Sequence, residues 1–203
     1  MDISFLNIKN LPVVLIDNLY NDDQQIDIWQ ELEFISGKDK MKDPEHTGTA
    51  TDNDGNILKQ NRALPLDTIY ADRSISNILR ENRLLWDEKF MDQLMDHHRF
   101  FRYLRYSNTD STLVSYYEDS DYYAPHRDDA ILTAITWFYK EPKQFQGGDF
   151  TIEDEIKIEC RHNRCVLFPS ILTHSVDPIK LDNKLKNKNY GRYAISQFMT
   201  ING

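Results

Sequence analysis

The sequence predicts an α+β protein in which helices come first and a run of short strands then forms a sandwich or barrel. Three observations carry that expectation. Apolar residues recur at helical spacing before Phe100, β-rich segments follow it, and turn signals such as Gly147-Gly148 and His162-Asn163 separate those segments. A length of 203 residues suits one domain, 1–203, with a full hydrophobic core. Within it, 1–100 reads as mainly helical support carrying a polar loop at 38–61, and 101–203 as the β core.

Val13 to Ile16 reads as a first strand ended by Asp17-Asn18. Asn21 has the character of a helix N-cap, with Gln24 at the third helical position completing a capping box. Ile28, Trp29, Leu32 and Ile35 repeat at helical spacing and Gly37 is a plausible stop, so a helix is expected from about Asp22 to Ser36. Lys38 to Asn61 is polar and aperiodic. Loops that long are usually functional or mobile, and both readings of this one, substrate lid and surface loop, stay open. Lys59, Asn61 and Arg62 are its polar residues to watch. Helical patterns return at about Arg73 to Asn82 and Trp86 to His97. Strands are then expected at Thr112 to Glu118, Ile131 to Tyr139, Asp149 to Ile152, Glu155 to Glu159, Cys165 to Pro169 and Arg192 to Ile201. Trp29 and Trp86 read as core, whereas parity does not say whether the face of Ile135, Trp137 and Tyr139 points inward.

A charged fraction of 28% beside 40% hydrophobic residues is ordinary for a soluble globular protein. The formal net charge of -9 repels polyanions, so neither nucleic acid nor an acidic membrane surface is an expected partner. The apolar run Leu11 to Ile16 is too short to span a bilayer and follows no basic leader, which points to a cytoplasmic protein. Cys160 and Cys165 are too few for a disulfide framework, and reduced thiols are expected over a hairpin bridge. A zinc site from Cys160, His162 and Cys165 lacks a fourth ligand. His97 and His98 read as helix-terminal surface residues, and His46 has no companion ligand.

The first chemical signal is His126-Arg127-Asp128. In extended backbone, residues i and i+2 project to one face, so an imidazole and a carboxylate so spaced can grip one ion. The pattern is common by itself, but His174 follows the apolar strand Cys165 to Pro169. Two imidazoles and one carboxylate compose the facial triad of non-haem Fe(II) oxygenases, which leaves positions open for a chelating keto acid and O2. The second signal is Arg192 in Gly191-Arg192-Tyr193-Ala194-Ile195-Ser196-Gln197-Phe198. On a strand, Arg192, Ala194, Ser196 and Phe198 share a face. A guanidinium inside a barrel needs a counter-charge, and a dicarboxylate cosubstrate supplies one through a planar bidentate pair. Ala194 leaves room, and Ser196 is placed to add a hydrogen bond.

These motifs, in this order, resemble the catalytic core of the prolyl 4-hydroxylase-like family within the Fe(II)/2-oxoglutarate-dependent dioxygenase superfamily. The resemblance rests on Tyr117 to Asp128, on Gly147-Gly148-Asp149-Phe150, on Asn163 to Pro169, on His174-Ser175-Val176 and on Arg192 to Ser196. It covers about Thr112 to Ile201. It implies a double-stranded β-helix of jelly-roll, cupin-like form, with the N-terminal helices packed on one sheet. It implies Fe(II) on His126, Asp128 and His174, with 2-oxoglutarate held by Tyr117 and Arg192. Tyr123 would face cosubstrate or substrate, and Val176 would pack on the keto acid. The expected cosubstrates are 2-oxoglutarate and O2, with ascorbate as reductant. The expected outcome is hydroxylation of a C–H bond with release of succinate and CO2, on a peptidyl residue such as proline. Two departures bear on the substrate. Ala130 stands where many peptidyl-prolyl hydroxylases carry a substrate-holding Arg, and Phe198 where the family has Trp.

The alternatives are a small-molecule hydroxylase acting on a free amino acid and a non-catalytic module that binds metal and 2-oxoglutarate without turnover. A zinc hydrolase would give Arg192 no task. A nucleic-acid demethylase of the superfamily would carry a second Arg where this chain has Phe198. Nothing in these motifs sets an oligomeric state.

Overall fold

A computed structural model describes residues 1–36 and 40–202. The chain opens with a hairpin, β1 (Asp2–Ile8) and β2 (Leu11–Asp17), closed by Lys9 and Asn10, both at positive φ. Two consecutive left-handed residues twist a two-residue turn in the same sense as the strands it joins. β1 lies outside the expectation, which began the sheet at Val13; β2 matches it and runs slightly longer.

Helix α1 (Asp22–Ile35) has the expected capping box, with Asn21 Oδ1 accepting the Gln24 amide and Gln24 Oε1 accepting the Asn21 amide. Ser36 is its C-cap, and Gly37, the stop expected from sequence, lies outside the described residues. The polar segment is not wholly loop. It contributes β3 (Lys59–Gln60), and the chain continues at once into β4 (Arg62–Pro65). The helical pattern at Arg73 to Asn82 divides into a 3-10 turn, Arg73–Ile75, and α2 (Asn77–Glu81), whose N-cap is Ser76. The next is a 3-10 turn, Asn82–Trp86, followed by α3 (Glu88–His97). A further short helix, α4 (Arg102–Tyr106), falls beyond Phe100, where strands were expected to begin.

The β core comprises β5 (Thr109–Tyr117), β6 (Tyr122–His126), β7 (Leu132–Phe138), β8 (Phe145–Gly147), β9 (Phe150–Ile152), β10 (Ile156–Ile158), β11 (Arg164–Pro169), β12 (His174–Val176), β13 (Ile179–Leu181) and β14 (Arg192–Thr200). They form a seven-stranded sheet ordered β1-β2-β11-β7-β14-β5-β4 and a five-stranded sheet ordered β10-β9-β12-β6-β3, with β13-β8 as a separate pair. All the pairings are antiparallel, the mixed α and β arrangement expected of a double-stranded β-helix.

Alternation along the strands sorts the core in two. Leu132, Ala134, Phe138, Leu167, Tyr193 and Ile195 meet Ile28, Leu32, Ile78 and Leu94 of the helices. Ile135, Trp137, Val166, Phe168 and Ala194 meet Phe150, Ile152 and Val176 of the smaller sheet. The face of Ile135 and Trp137 is therefore the inter-sheet face, the question that parity had left open. The large sheet is covered on both sides, which explains why β7 and β11 are buried at every position. β3 and β4 add an edge strand to the small and the large sheet respectively, and buried Asn61 marks the crossing between them.

Candidate active site

His126 ends β6 and His174 begins β12, and antiparallel pairing sets the two residues opposite each other. Asp128 lies two residues past the end of β6 rather than on the strand, a departure from the shared-strand picture. Its position is fixed by its amide, which donates to the Ser170 carbonyl (3.3 Å), and by Oδ2, which accepts from Thr133 Oγ1 (2.7 Å). Thr133 in turn lies 2.8 Å from Ser170 Oγ. The carboxylate reaches the same point as the imidazoles: its oxygens lie 3.7 Å from His126 Nε2 and 3.4 Å from His174 Nε2.

Both histidines present the same nitrogen. Nδ1 of His126 is 2.9 Å from the Ala124 carbonyl and Nδ1 of His174 is 3.0 Å from the Leu172 carbonyl. A carbonyl can only accept, so each Nδ1 carries the proton and each Nε2 keeps its lone pair toward Asp128. Burial pulls both imidazoles down to about 4, helped at His126 by the neighbouring His174, so both are neutral at neutral pH, as ligation requires. Burial also raises Asp128, against the hydrogen bond from Thr133. The three donor atoms lie within 4.8 Å of one another. Two ligands at right angles on one ion, each about 2.1 Å away, would be about 3 Å apart, so the trio fits a facial metal site after small adjustment.

The ring of Tyr123 stacks on His126 (centroids 3.5 Å, planes 12° apart), and its hydroxyl accepts the Ala50 amide at 3.2 Å. Residue 50 belongs to the polar segment, so that segment is pinned to the wall of the site. On the opposite sheet, Arg192 has no exposed surface, yet its Nε, Nη1 and Nη2 find no hydrogen-bond partner among the described residues. Its guanidinium carbon lies 4.9 Å from the Tyr117 ring and 5.3 Å from the Trp137 ring, with Trp137 Nε1 also unpartnered. Burial raises the Tyr117 hydroxyl, opposed by the charge of Arg192. The Gly147-Gly148 turn makes room for the arginine stem. Both glycines have positive φ, and a Cβ on Gly148 would sit 3.2 Å from Arg192 Cδ and 3.1 Å from Ile179 Cγ1. A buried cation with every donor free, beside three convergent metal donors, fits a dianionic chelating cosubstrate.

One cavity of about 370 Å3 collects the residues expected from sequence to hold metal and cosubstrate, Tyr117, Tyr123, His126, Asp128, His174, Val176, Arg192 and Ser196, whereas Asn61 and Arg62, also marked for their polarity, do not line it. Ser111, Leu113, Ser115 and Tyr117 alternate into it from β5, and Arg192, Ala194, Ser196 and Phe198 from β14, as their period of two requires. Other lining residues were not foreseen. His46, Thr47 and Gly48 line it too, as do Pro65 and Asp67. Their segment has no periodicity, and only pairing with strands distant in the chain brings it to the site. Lys59, flagged for its polarity, also lines the cavity. Cys160 and Cys165 are both free and buried, and the single His162 between them bonds to Tyr139 and Gln25 rather than to a metal-binding group.

Residues 112–200 match the model of the 2OG-Fe(II) oxygenase superfamily. A PKHD-type hydroxylase of Maricaulis maris is 28% identical over 95 residues, which is 42% of this chain. The match spans 43% of the length of that curated relative. Among solved structures, a prolyl-4-hydroxylase of Pseudomonas putida superposes with a TM-score of 0.59 at 12% identity, covering 94% of this chain and 93% of its own. A prolyl hydroxylase of Trichoplax adhaerens, in complex with a hypoxia inducible factor oxygen degradation domain peptide fragment, gives a TM-score of 0.57 at 12% identity, covering 93% and 83%. Residues 112–200 are thus similar to the 2OG-Fe(II) oxygenase superfamily, and the chain has the double-stranded β-helix fold of its solved neighbours. The solved neighbours named above are prolyl hydroxylases, and the partial curated relative is a PKHD-type hydroxylase. The family implies Fe(II), 2-oxoglutarate and O2, and the His-Asp-His trio is present. Among the described residues, no helix is long and apolar enough to cross a membrane.

Proposed function

We propose that this protein is a 2-oxoglutarate-dependent Fe(II) dioxygenase that hydroxylates an unactivated C–H bond. The observation that carries the reading is Arg192: a fully buried guanidinium with no hydrogen-bond partner among the described residues, opening into the cavity that also holds His126, Asp128 and His174. When bound, Fe(II) would supply the activation of O2 that is coupled to oxidative decarboxylation of 2-oxoglutarate, with succinate and CO2 as by-products.

The chain's own residues do the rest. His126 and His174 offer Nε2 lone pairs because backbone carbonyls hold their Nδ1 protons. Thr133 orients the Asp128 carboxylate. Arg192, with Tyr117 beside it, receives the distal carboxylate of the cosubstrate, and Val176 and Ala194 shape the space around its carbon chain. Phe150 and Phe168 pack on His174 and keep bulk water from that side of the site. Ser196 lines the same wall as Arg192 and is placed to donate to the cosubstrate.

The substrate class we take first is a peptidyl residue such as proline. The fold neighbour from Trichoplax adhaerens with a peptide in complex supports that choice. The segment 46–48 on the cavity rim supports a role for the polar segment as a cover over substrate. Ala130 offers no charge to hold a peptide, so the grip on substrate lies elsewhere. Purified protein with Fe(II), ascorbate, 2-oxoglutarate and O2 should form succinate. His174→Ala should abolish this, and Arg192→Ala should raise the 2-oxoglutarate requirement. Protein that binds neither a divalent metal nor 2-oxoglutarate would sink the reading and leave a binding module of another kind.

A further inference from the structure

We infer that Lys59 makes this a site for a substrate that carries its own carboxylate close to the carbon to be oxidised. The inference rests on the dioxygenase reading and narrows its substrate. Lys59 pairs with Tyr123 across β3 and β6, so the two side chains stand next to each other on the cavity wall. The amine lies 5.5 Å from the Tyr123 ring, and that ring stacks on His126. Lys59 is only 4% exposed, and among the described residues its Nζ has neither a hydrogen bond nor an ion pair. A lysine buried to this degree is rare unless it is paired. Burial lowers its pKa to about 8, with no carboxylate near enough to oppose the shift, and the amine still carries its proton at neutral pH.

Charge balance identifies what is missing. The two charges of a ferrous ion and that of Arg192 are neutralised by Asp128 and the two carboxylates of 2-oxoglutarate. Asp67, the other acid lining the cavity, is engaged with Arg73 and with the Thr112 amide. The positive charge of Lys59 is left over. Both cosubstrate carboxylates have tasks already, one on Arg192 and one on the metal, so the counter-charge comes with the substrate. Its volume is bounded too. About 370 Å3 is near the lower end of the 300–1,000 Å3 usual for small-molecule pockets, and it accommodates cosubstrate as well. The carboxylate belongs either to a free amino acid or to an acidic side chain next to the target residue of a peptide, and the chemistry recognised is the same.

The test uses the full chain loaded with Mn(II) and 2-oxoglutarate under nitrogen, so that binding is read without turnover. Calorimetry would measure acetate, the standard free amino acids and their carboxamides, and N-acetylated, C-amidated proline-centred peptides with or without a flanking Asp or Glu. The expected result is a carboxylate probe that binds the wild type and is weakened about thirtyfold both by amidation and by Lys59→Met, with partial recovery in Lys59→Arg. Free amino acids binding without acidic peptides, or the reverse, identifies the source of the carboxylate. Three results overturn the inference: carboxamides that bind as tightly as acids, Lys59→Met that weakens 2-oxoglutarate rather than the probe, or no carboxylate bound by the wild type. Because amidation is tested on the wild type, the conclusion does not depend on how well the variant folds. Wild type that fails to bind 2-oxoglutarate at all rejects the dioxygenase reading itself, a result distinct from the other three.

Discussion

Replacing Arg192 by Met should stabilise the protein when 2-oxoglutarate is absent and remove its response to 2-oxoglutarate. The guanidinium is fully buried and, among the described residues, its three nitrogens have no hydrogen-bond partner. Leaving charged donors unsatisfied costs about 1–3 kcal/mol per group or more. The flanking Tyr117 and Trp137 rings return about 0.5–2 kcal/mol each through cation–π attraction. Met preserves the apolar stem packed near Gly148 while deleting the charge. The net gain expected in Arg192→Met without cosubstrate is therefore about 1–3 kcal/mol. For a chain of this size each kcal/mol shifts Tm by about 2–4 °C, so the variant should melt about 2–12 °C higher. With Mn(II) present, 2-oxoglutarate at a hundred times its Kd should stabilise the wild type by about 2.7 kcal/mol and the variant not at all. Thermal unfolding of both proteins in anaerobic buffer, with and without 2-oxoglutarate, reads both effects. A variant that melts lower than the wild type and still gains stability from 2-oxoglutarate would refute the assignment of Arg192 as an anion receiver awaiting its ligand.

Thr133→Val keeps the shape of a fully buried side chain but removes the hydroxyl that donates to Asp128, and should weaken metal binding by about 10- to 100-fold in a Co(II) titration. An unchanged Kd would show that Asp128 needs no orienting partner. Gly148→Ala places a Cβ against Arg192 Cδ and Ile179 at positive φ, and should raise the 2-oxoglutarate Kd while costing about 1–3 kcal/mol in urea unfolding. Wild-type affinity and stability would contradict this. Asp121 supplies a pH test: burial raises its carboxyl to about 6, with the charges of Glu118 and Asp119 adding to the effect. Its folded pKa lies above the unfolded value, so the native state binds the extra proton. Stability contributed by this group is therefore full below pH 3.8 and falls as pH rises through about 6. Asp121→Asn can still accept the Glu118 amide through its side-chain oxygen. It should be more stable than the wild type at pH 7 by about 1–2 kcal/mol after allowance for solvent screening, and equal to it near pH 4. Equal stabilities at both pH values would show that the carboxylate is well solvated.

What could be read from sequence was what local periodicity controls. The period of two along Arg192 to Phe198 put Arg192, Ala194 and Ser196 on one face, and they do line the cavity together while Tyr193 and Ile195 pack toward the helices. The capping box at Asn21 and Gln24 is equally local and stands as expected. The edge strands β3 and β4 could not be read that way. Lys59, Gln60, Asn61 and Arg62 have low strand propensity and no alternation of polarity, and they are extended because β6 and β5, more than fifty positions further on, offer free edges. The cavity wall that Lys59 and residues 46–48 build was for the same reason readable only as an open choice between a lid and a surface loop. β1 was missed although Asn10 marks its turn, since Phe5 and Leu6 break the alternation that would have announced it. Asp128 shows the opposite case: spacing from His126 gave the correct convergence even though the strand ends before it.

The division of the site between two sheets has a mechanical consequence. His126 and His174 belong to the five-stranded sheet, whereas Arg192 and Tyr117 belong to the seven-stranded one, paired with each other in the β14–β5 ladder. Between the sheets the contacts are mainly side-chain packing, such as Trp137 and Phe168 against Phe150. Packing of that kind resists separation but gives little directional restraint on sliding. A dicarboxylate held at one end by the metal trio and at the other by Arg192 would add a directional cross-link between the sheets. The chain supplies a second such tie where the polar segment adds β3 to one sheet, crosses at Asn61, and runs on into β4 of the other. Lys59 sits at the start of that crossing, beside the histidine wall. A substrate anion drawn to Lys59 would therefore engage the same covalent bridge that joins the two halves of the site, so that cosubstrate and substrate brace the cavity from opposite sides.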